Sequence, residues 1–203
     1  IIVMVFDPDG TEGHWKLSKD IVLSKFKNYI TNIEGNTNAD TGIITITGNK
    51  NNKKFRIIMM RNKPNKNVEL LSNIIKQYPK GFYIFRGHSY RLNDNFPTNI
   101  FSENNAESIL FLPGSCGSSS AIPTYINNNP SIRAFISNKR TGKGMVNLAI
   151  TNMLLEYYLN NNQPITYSKL LKQNEERIVS NGGNLNDISF SRLGELALIY
   201  GNS

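Results

Sequence analysis

Apolar residues in this chain form short continuous runs that are separated by polar segments. Runs of five or six such residues are typical of strands that are buried on both faces of a sheet. The polar segment at residues 48–54 joins two of these runs and therefore predicts a hairpin. The predicted strands cover residues 1–6, 42–47, 55–60, 81–85, 108–112, 132–137 and 196–200.

Other segments repeat their apolar residues every three or four positions, which is the period of a helix that packs one face on a core. Strands and helices of this kind alternate along the chain, and the alternation favours an α/β fold. We therefore predict a three-layer α/β/α sandwich with a mostly parallel sheet. The predicted helices cover residues 17–33, 68–78, 118–128, 145–159 and 167–179, and residues 86–107 are predicted to be a long polar loop.

The length of the chain suits a single domain over residues 1–203, because 203 residues with 39% hydrophobic content can bury a substantial core. The first residue is Ile1, so we expect a fragment or a processed form of a longer protein. No apolar run approaches the roughly 18 residues of a membrane helix, and no membrane span is expected.

The chain carries a positive net charge of +8, from 23 lysines and arginines against 15 acidic residues. A basic chain can bind nucleic acid, anionic lipid or an acidic partner. Its basic runs, at residues 49–56, 61–66 and 138–143, fall in predicted loops or strand ends, and no nucleic-acid-binding motif accompanies them. We interpret them as solvated surface rather than as a nucleic-acid site.

One cysteine and two histidines limit the chemistry that the chain can carry. A single cysteine excludes an internal disulfide and a cysteine-based zinc cluster, and no residues show the spacing of metal ligands. We expect no metal or organic cofactor. A free thiol slightly favours a reducing compartment such as the cytoplasm, although a secreted protein can also carry one.

Chemically useful residues follow two of the predicted strands. Strand 81–85 runs into Arg86, Gly87, His88 and Ser89, and strand 108–112 runs into Pro-Gly-Ser-Cys-Gly at residues 113–117. Ligands of open parallel sheets bind at the carboxyl ends of the strands. If the two strands are neighbours, His88 and Cys116 therefore meet at one edge of the sheet.

The Cys116 thiol and the His88 imidazole form a chemically sensible pair. A thiol is a good nucleophile only as a thiolate, and an imidazole can accept its proton and later protonate a leaving amine. The alternative is that Cys116 is a small buried hydrophobic residue, as many lone cysteines are, and that His88 is a hydrogen-bonded core residue. The flanking Gly114 and Gly117 favour access to the thiol over packing.

The two strand ends, FYIFRGHSY and ILFLPGSCGSS, resemble the catalytic strands of the caspase-like cysteine peptidases, which include caspases, legumain, gingipains and clostripain. Residues 133–147 and 196–203 are similar to bacterial gingipain-like domains. The resemblance implies a caspase-like sheet and a cysteine endopeptidase in which Cys116 is the nucleophile and His88 is the general base and acid. It also implies that the amides of Cys116 and Ser89 form the oxyanion hole.

One position departs from the family pattern, which has glycine directly after the histidine. Here Gly87 precedes His88 and Ser89 follows it. Serine keeps an N–H group, so the oxyanion hole is retained in principle. The sequence shows no third member of a catalytic triad.

The resemblance implies that the pocket for the substrate side chain draws on the loop after the first strand and on the strand after the cysteine, and these two regions give opposite hints. Acidic residues after the first strand would bind a basic side chain, whereas basic residues after strand 132–137 would bind an acidic one. Both sets have plainer interpretations, as a turn in residues 7–10 and as a solvated loop or processing site in residues 138–140. The acidic candidates are Asp7, Asp9 and Glu12, and the basic candidates are Lys139 and Arg140.

Three other functions are alternatives to the peptidase. A glutaminase or related hydrolase usually has its cysteine before its histidine, which is the reverse of the order here. A phosphate-binding loop at residues 113–120 would lack the P-loop pattern. The remaining alternative is an inactive caspase-like module that binds other proteins. Retained thiol reactivity would distinguish the enzyme from this module. The expected partner of the enzyme is a protein or peptide substrate.

Overall fold

The computed structural model describes residues 1–140, 143–161 and 165–191. In this part of the chain an eight-stranded mixed sheet carries helices on both of its faces. The predicted three-layer α/β/α sandwich is confirmed. The strands are β1 (Ile2–Phe6), β2 (Ile30–Glu34), β3 (Gly42–Lys50), β4 (Lys53–Arg61), β5 (Lys80–Arg86), β6 (Ser108–Pro113), β7 (Ile132–Asn138) and β8 (Ile188–Ser191). The helices are α1 (Glu12–Phe26), α2 (Pro64–Gln77), α3 (Leu92–Asn95), α4 (Ile100–Glu103), α5 (Ile122–Asn128), α6 (Gly144–Asn160), α7 (Tyr167–Gln173) and α8 (Glu175–Ser180).

The strand order is β2-β3-β4-β1-β5-β6-β7-β8. The central strands β4, β1, β5, β6 and β7 are parallel, so their carboxyl ends meet at one edge of the sheet. Antiparallel strands close both sides, with β2 and β3 beside β4 and with β8 beside β7. The central strands are buried almost throughout, which explains their continuous apolar runs.

Each face of the sheet buries its own apolar core. One core packs α1 and α6 on the sheet, and there Trp15 meets Phe6 edge-on at 5.4 Å. The other core is rich in aromatic rings beneath α2, α3, α4 and α5, with Phe111 at its centre. The rings around Phe111 are those of Phe96, Phe101, Tyr125 and Phe135.

The predicted hairpin is confirmed, since β3 and β4 pair in continuous register around Asn51 and Asn52. Both turn residues have positive φ, a conformation that asparagine tolerates better than most residues. Four other predicted strands are also present, with bounds that differ by one residue at an end. The predicted strand 196–200 lies outside the described residues.

The prediction of one helix over residues 17–33 is wrong beyond Phe26. Helix α1 ends there, a 3₁₀ turn follows at Lys27–Tyr29, and the chain continues as β2. Strand β2 lies at the edge of the sheet and is largely exposed, so it lacks the apolar run that marks a buried strand. The helical spacing of Ile30 and Ile33 was coincidental.

Two further predictions need correction. Residues 167–179 form two short helices, α7 and α8, which meet at Asn174, and the short strand β8 was not predicted. The expected loop at residues 86–107 is not structureless, because it holds a 3₁₀ turn at Ser89–Arg91 together with α3 and α4. In the described ranges, no helix has both the length and the apolar character to cross a membrane.

Candidate active site

The carboxyl ends of β5 and β6 bring the two candidate catalytic residues to the same edge of the sheet. The strands are parallel neighbours, and Phe85 pairs with Pro113 in their register. His88 and Cys116 each follow a few residues after their strand. The two strands are therefore neighbours, as the predicted meeting of His88 and Cys116 requires.

Cys116 lies in a tight turn between β6 and a 3₁₀ turn at Ser118–Ala121, and it is exposed. The next residue, Gly117, has φ of +60°, a left-handed conformation that favours glycine. The Gly117 amide donates a hydrogen bond of 2.5 Å to the Arg140 carbonyl. The Ser118 hydroxyl accepts one of 3.1 Å from the Asn138 amide. The turn that carries the thiol is thus fixed to the end of β7.

His88 is exposed beyond the end of β5 and directly precedes the 3₁₀ turn at Ser89–Arg91. Its ring stacks on Tyr90 with centroids 5.3 Å apart and planes 11° apart. A Cβ at Gly10 would lie 3.4 Å from His88 Nε2, so the imidazole borders the turn that follows β1. Tyr90 itself is 75% exposed and offers an aromatic face beside the histidine.

The imidazole and the thiol are both accessible, but no hydrogen bond joins them in the described part of the chain. Catalytic hydrogen bonds are often long in unliganded sites and shorten only when substrate binds. The stack with Tyr90 is the contact that would have to adjust for His88 to approach Cys116.

The two amides that the resemblance assigns to an oxyanion hole are placed at this edge. Among the described residues, neither the Ser89 nor the Cys116 amide donates to a backbone carbonyl outside the regular elements. Ser89 is the first residue of its 3₁₀ turn, where an N–H group has no partner within the turn. Both donors are therefore available to a ligand.

Two of the acidic candidates after β1 form ion pairs with an arginine. Asp7 is fully buried, with its Oδ2 atom 3.5 Å from Arg91 Nε, and Asp9 Oδ2 lies 2.7 Å from Arg91 Nη2. Burial raises the pKa of Asp7 above its ordinary value, while the Asp9 amide and the charges of Arg91 and His88 act in the opposite direction. Asp7 thus lies within electrostatic reach of His88.

The remaining predicted pocket residues are exposed. Glu12 forms an ion pair of 2.7 Å with Lys16 on the outside of α1. Lys139 and Arg140 follow β7, and the Arg140 side chain is 82% exposed, with its Nε atom 3.7 Å from Asp187. Because the Arg140 carbonyl binds Gly117, this basic pair lies beside the turn that carries the thiol.

Three residues that were not predicted to lie beside the thiol converge below it. Arg86 is 4% exposed and donates a hydrogen bond of 2.9 Å to the Gly114 carbonyl. Asn147 of α6 is fully buried and donates to the same carbonyl at 3.1 Å. His14 of α1 lies near Arg86, and its pKa is lowered by burial and by the arginine charge. The clue was Arg86 itself, a charged residue directly after a buried strand.

Buried polar atoms without a hydrogen-bond partner concentrate at this edge. Such atoms are rare in folded proteins, and each one needs an explanation, which is often a functional site. At or near the carboxyl edge they are Asp7 Oδ2, Arg61 Nε, Ser115 Oγ, Asn138 Nδ2 and Asn147 Oδ1. Away from it, within the described residues, there is Ser131 Oγ.

Comparisons with known proteins add no relatives. No known family model matches the chain, and no curated protein sequence matches it. Within the described ranges, no three histidine, cysteine or acidic side chains lie close enough together to hold a metal ion.

Proposed function

We propose that this chain is a cysteine endopeptidase with a caspase-like sheet, in which Cys116 and His88 act as a dyad. The observation that carries the proposal is the convergence of both residues at the carboxyl ends of the neighbouring parallel strands β5 and β6. An accessible thiol, an accessible imidazole and two amides without backbone acceptors lie at this edge. Their arrangement suits acyl transfer.

In the proposed reaction His88 accepts the thiol proton, and the Cys116 sulfur attacks the carbonyl carbon of the peptide bond. The oxyanion that forms accepts hydrogen bonds from the Cys116 and Ser89 amides. The carbon–nitrogen bond then breaks, and the proton on His88 passes to the leaving amine. Water, deprotonated by His88, hydrolyses the resulting thioester and restores the thiol.

The described charges favour an acidic substrate side chain over a basic one. Asp7 and Asp9 are paired with Arg91, so they offer little free negative charge to a substrate. Lys139 and Arg140 are exposed beside the turn that carries Cys116. An acidic residue before the cleaved bond would meet this positive charge.

A library of fluorogenic peptides that varies the residue before the cleaved bond tests the proposal. We expect hydrolysis by the parent chain, and loss of hydrolysis together with the thioester adduct in Cys116→Ala. Thermal unfolding of both proteins serves as the folding control. Alkylation of Cys116 only after unfolding would contradict the proposal. A reactive thiol without hydrolysis of any peptide would support the inactive protein-binding module instead.

A further inference from the structure

Arg86 at the end of β5 is a buried cation without a described acidic partner. Burial lowers the pKa of Arg86 to about 10, so the guanidinium still carries its charge at neutral pH. Arginine is almost never fully buried unless it is paired. The guanidinium lies against the turn that carries Cys116, because it donates a hydrogen bond to the Gly114 carbonyl.

The Gly114 carbonyl is clamped from two sides. Arg86 Nη1 approaches it from β5 at 2.9 Å, and Asn147 Nδ2 approaches it from α6 at 3.1 Å. A Cβ at position 114 would lie 2.8 Å from Arg86 Nη1 and 2.6 Å from Asn147 Nδ2, so only glycine fits without a shift. Because Gly114 is two residues before Cys116, the clamp fixes the start of the turn that carries the thiol.

The other side of the guanidinium faces the beginning of α6. A Cβ at Gly144 would lie 2.9 Å from Arg86 Nη2 and would also collide with His14 Nδ1. The sheet, α1 and α6 therefore close tightly around the guanidinium and leave it little freedom. A side chain held in this way presents a fixed charge, which needs no reorganisation when an anion forms nearby.

We propose that Arg86 is a positioning residue for Cys116, which orients the thiol turn through the Gly114 carbonyl and supplies a buried positive charge that stabilises the thiolate. Asn147 shares the first of these roles. The catalytic meaning of the inference rests on the proposed peptidase function, whereas its effect on the thiol does not. The other charged or titratable groups around the thiol turn are His14, His88, Lys139, Arg140 and Asp187.

Alkylation of Cys116 across pH separates charge from orientation. The parent and the Arg86→Gln variant are treated with neutral iodoacetamide and with anionic iodoacetate between about pH 5 and 9, and the rates are followed by mass spectrometry. Glutamine carries no charge, and Asn147 still donates to the Gly114 carbonyl in this variant. We expect the half-maximal rate to move up by about one pH unit, which is about tenfold slower reaction at pH 6.

The alkylation rates with the two reagents should also change by different amounts. A nearby cation attracts iodoacetate but not iodoacetamide, so the preference for iodoacetate should fall in Arg86→Gln. Arg86→Lys retains the charge and should keep a half-maximal pH near that of the parent. Asn147→Ala should retain the preference for iodoacetate. It removes one of the two hydrogen bonds to Gly114 but leaves the Arg86 charge in place.

Arg61→Gln is the matched control, because Arg61 is also a buried arginine at a strand end, 7% exposed, but lies on β4. We expect its alkylation profile to equal that of the parent. If Arg86→Gln does not fold by circular dichroism, Asn147→Asp takes its place, since a carboxylate there would neutralise Arg86 and shift the profile in the same direction.

A profile in Arg86→Gln that equals the parent profile for both reagents would overturn the inference, even if the parent hydrolyses peptides. Conversely, a shifted profile in a protein that cleaves no peptide would leave the inference standing and remove the peptidase function. The two failures are therefore distinguishable.

Discussion

Two buried arginines flank the central strand β1 at the same level of the sheet. Phe6 pairs with Arg61 of β4 on one side and with Arg86 of β5 on the other. Side chains at one level point to the same face, and Phe6 belongs to the core beneath α1 and α6. The two guanidinium groups therefore begin from nearly equivalent positions.

Their partners differ. Arg61 donates hydrogen bonds to the carbonyls of Asp40 and Pro8, so it ties together two surface loops. Arg86 donates to Gly114 alone among the described residues, and we propose that its charge acts on the nearby Cys116. The neighbouring strand accounts for the difference between the two arginines. Strand β5 lies beside β6, whose end carries the thiol, whereas β4 lies beside the hairpin strand β3. The same residue type ties together surface loops in one place and holds the turn that carries the thiol in the other.

The largest expected effect separates the two histidines at this edge. His88→Ala should lower peptide hydrolysis about 100-fold or more, because the general base and acid is lost. His14→Ala, which alters the surroundings of Arg86, should lower it less than about tenfold. Initial rates with the best fluorogenic peptide measure both. A larger loss in His14→Ala than in His88→Ala would reassign the base.

Gly114→Ala tests the clamp sterically. The new Cβ would displace Arg86 or Asn147, and overpacking of this kind costs about 1–3 kcal/mol of unfolding free energy. Hydrolysis should fall by about tenfold or more, since the thiol turn moves. Gly13→Ala in α1 is the control, because its Cβ would meet nothing within 4 Å and alanine favours a helix. Equal effects of the two substitutions would argue against the clamp.

Unfolding in urea compares the two arginines directly. Arg61→Gln should destabilise the chain by about 1–3 kcal/mol, because it removes the charged donor that ties the Asp40 and Pro8 carbonyls together. Arg86→Gln should change stability little or increase it, because it removes a buried charge that has no acidic partner in the described structure. Equal destabilisation by both substitutions would show that Arg86 is structural in the same way as Arg61.

The smallest expected effect concerns Asp7. This residue directly follows Phe6, whose strand β1 lies between the strands of the two arginines. Burial raises the pKa of Asp7, so the folded chain binds its proton more tightly than the unfolded chain does. The protonated carboxyl therefore stabilises the folded state of the parent at low pH, and this stabilisation is lost as pH rises through the folded-state pKa. Asp7→Asn should therefore be more stable than the parent at neutral pH, and this advantage should disappear as the pH falls.

Chemical denaturation at several pH values measures this difference. Asp9→Asn is the matched control, because the Asp9 side chain is 70% exposed and also contacts Arg91. An Asp7→Asn protein that is less stable than the parent at neutral pH would show that the ion pair with Arg91 outweighs the burial of the carboxylate.

The sequence revealed the buried strands and the edge where chemistry is expected, because both depend on local patterns. Continuous apolar runs marked β1, β5, β6 and β7, and the residues directly after β5 and β6 contained His88 and Cys116. Strand β2 was missed because an exposed edge strand needs few apolar residues. Its pairing with β3, not its own composition, makes it a strand.

The surroundings of the thiol could not be predicted in the same way. Arg86, Asn147 and His14 come from β5, α6 and α1, and only the packing of both helices on one face brings them together. The pairing of Arg91 with Asp7 and Asp9 likewise depends on the path of the 3₁₀ turn after β5. Contacts of this kind leave no periodic signal in a single sequence.

Trp15 is the single tryptophan of the chain, and its place in the core gives the molecule an optical reporter. Its indole is fully buried against Phe6 and donates a hydrogen bond of 3.0 Å to the Ala39 carbonyl. Phe6 is the residue that lies between the two arginines. Tryptophan fluorescence from the folded chain therefore comes from one apolar environment next to the proposed active edge. A shift of this emission to longer wavelength reports that water has reached that edge.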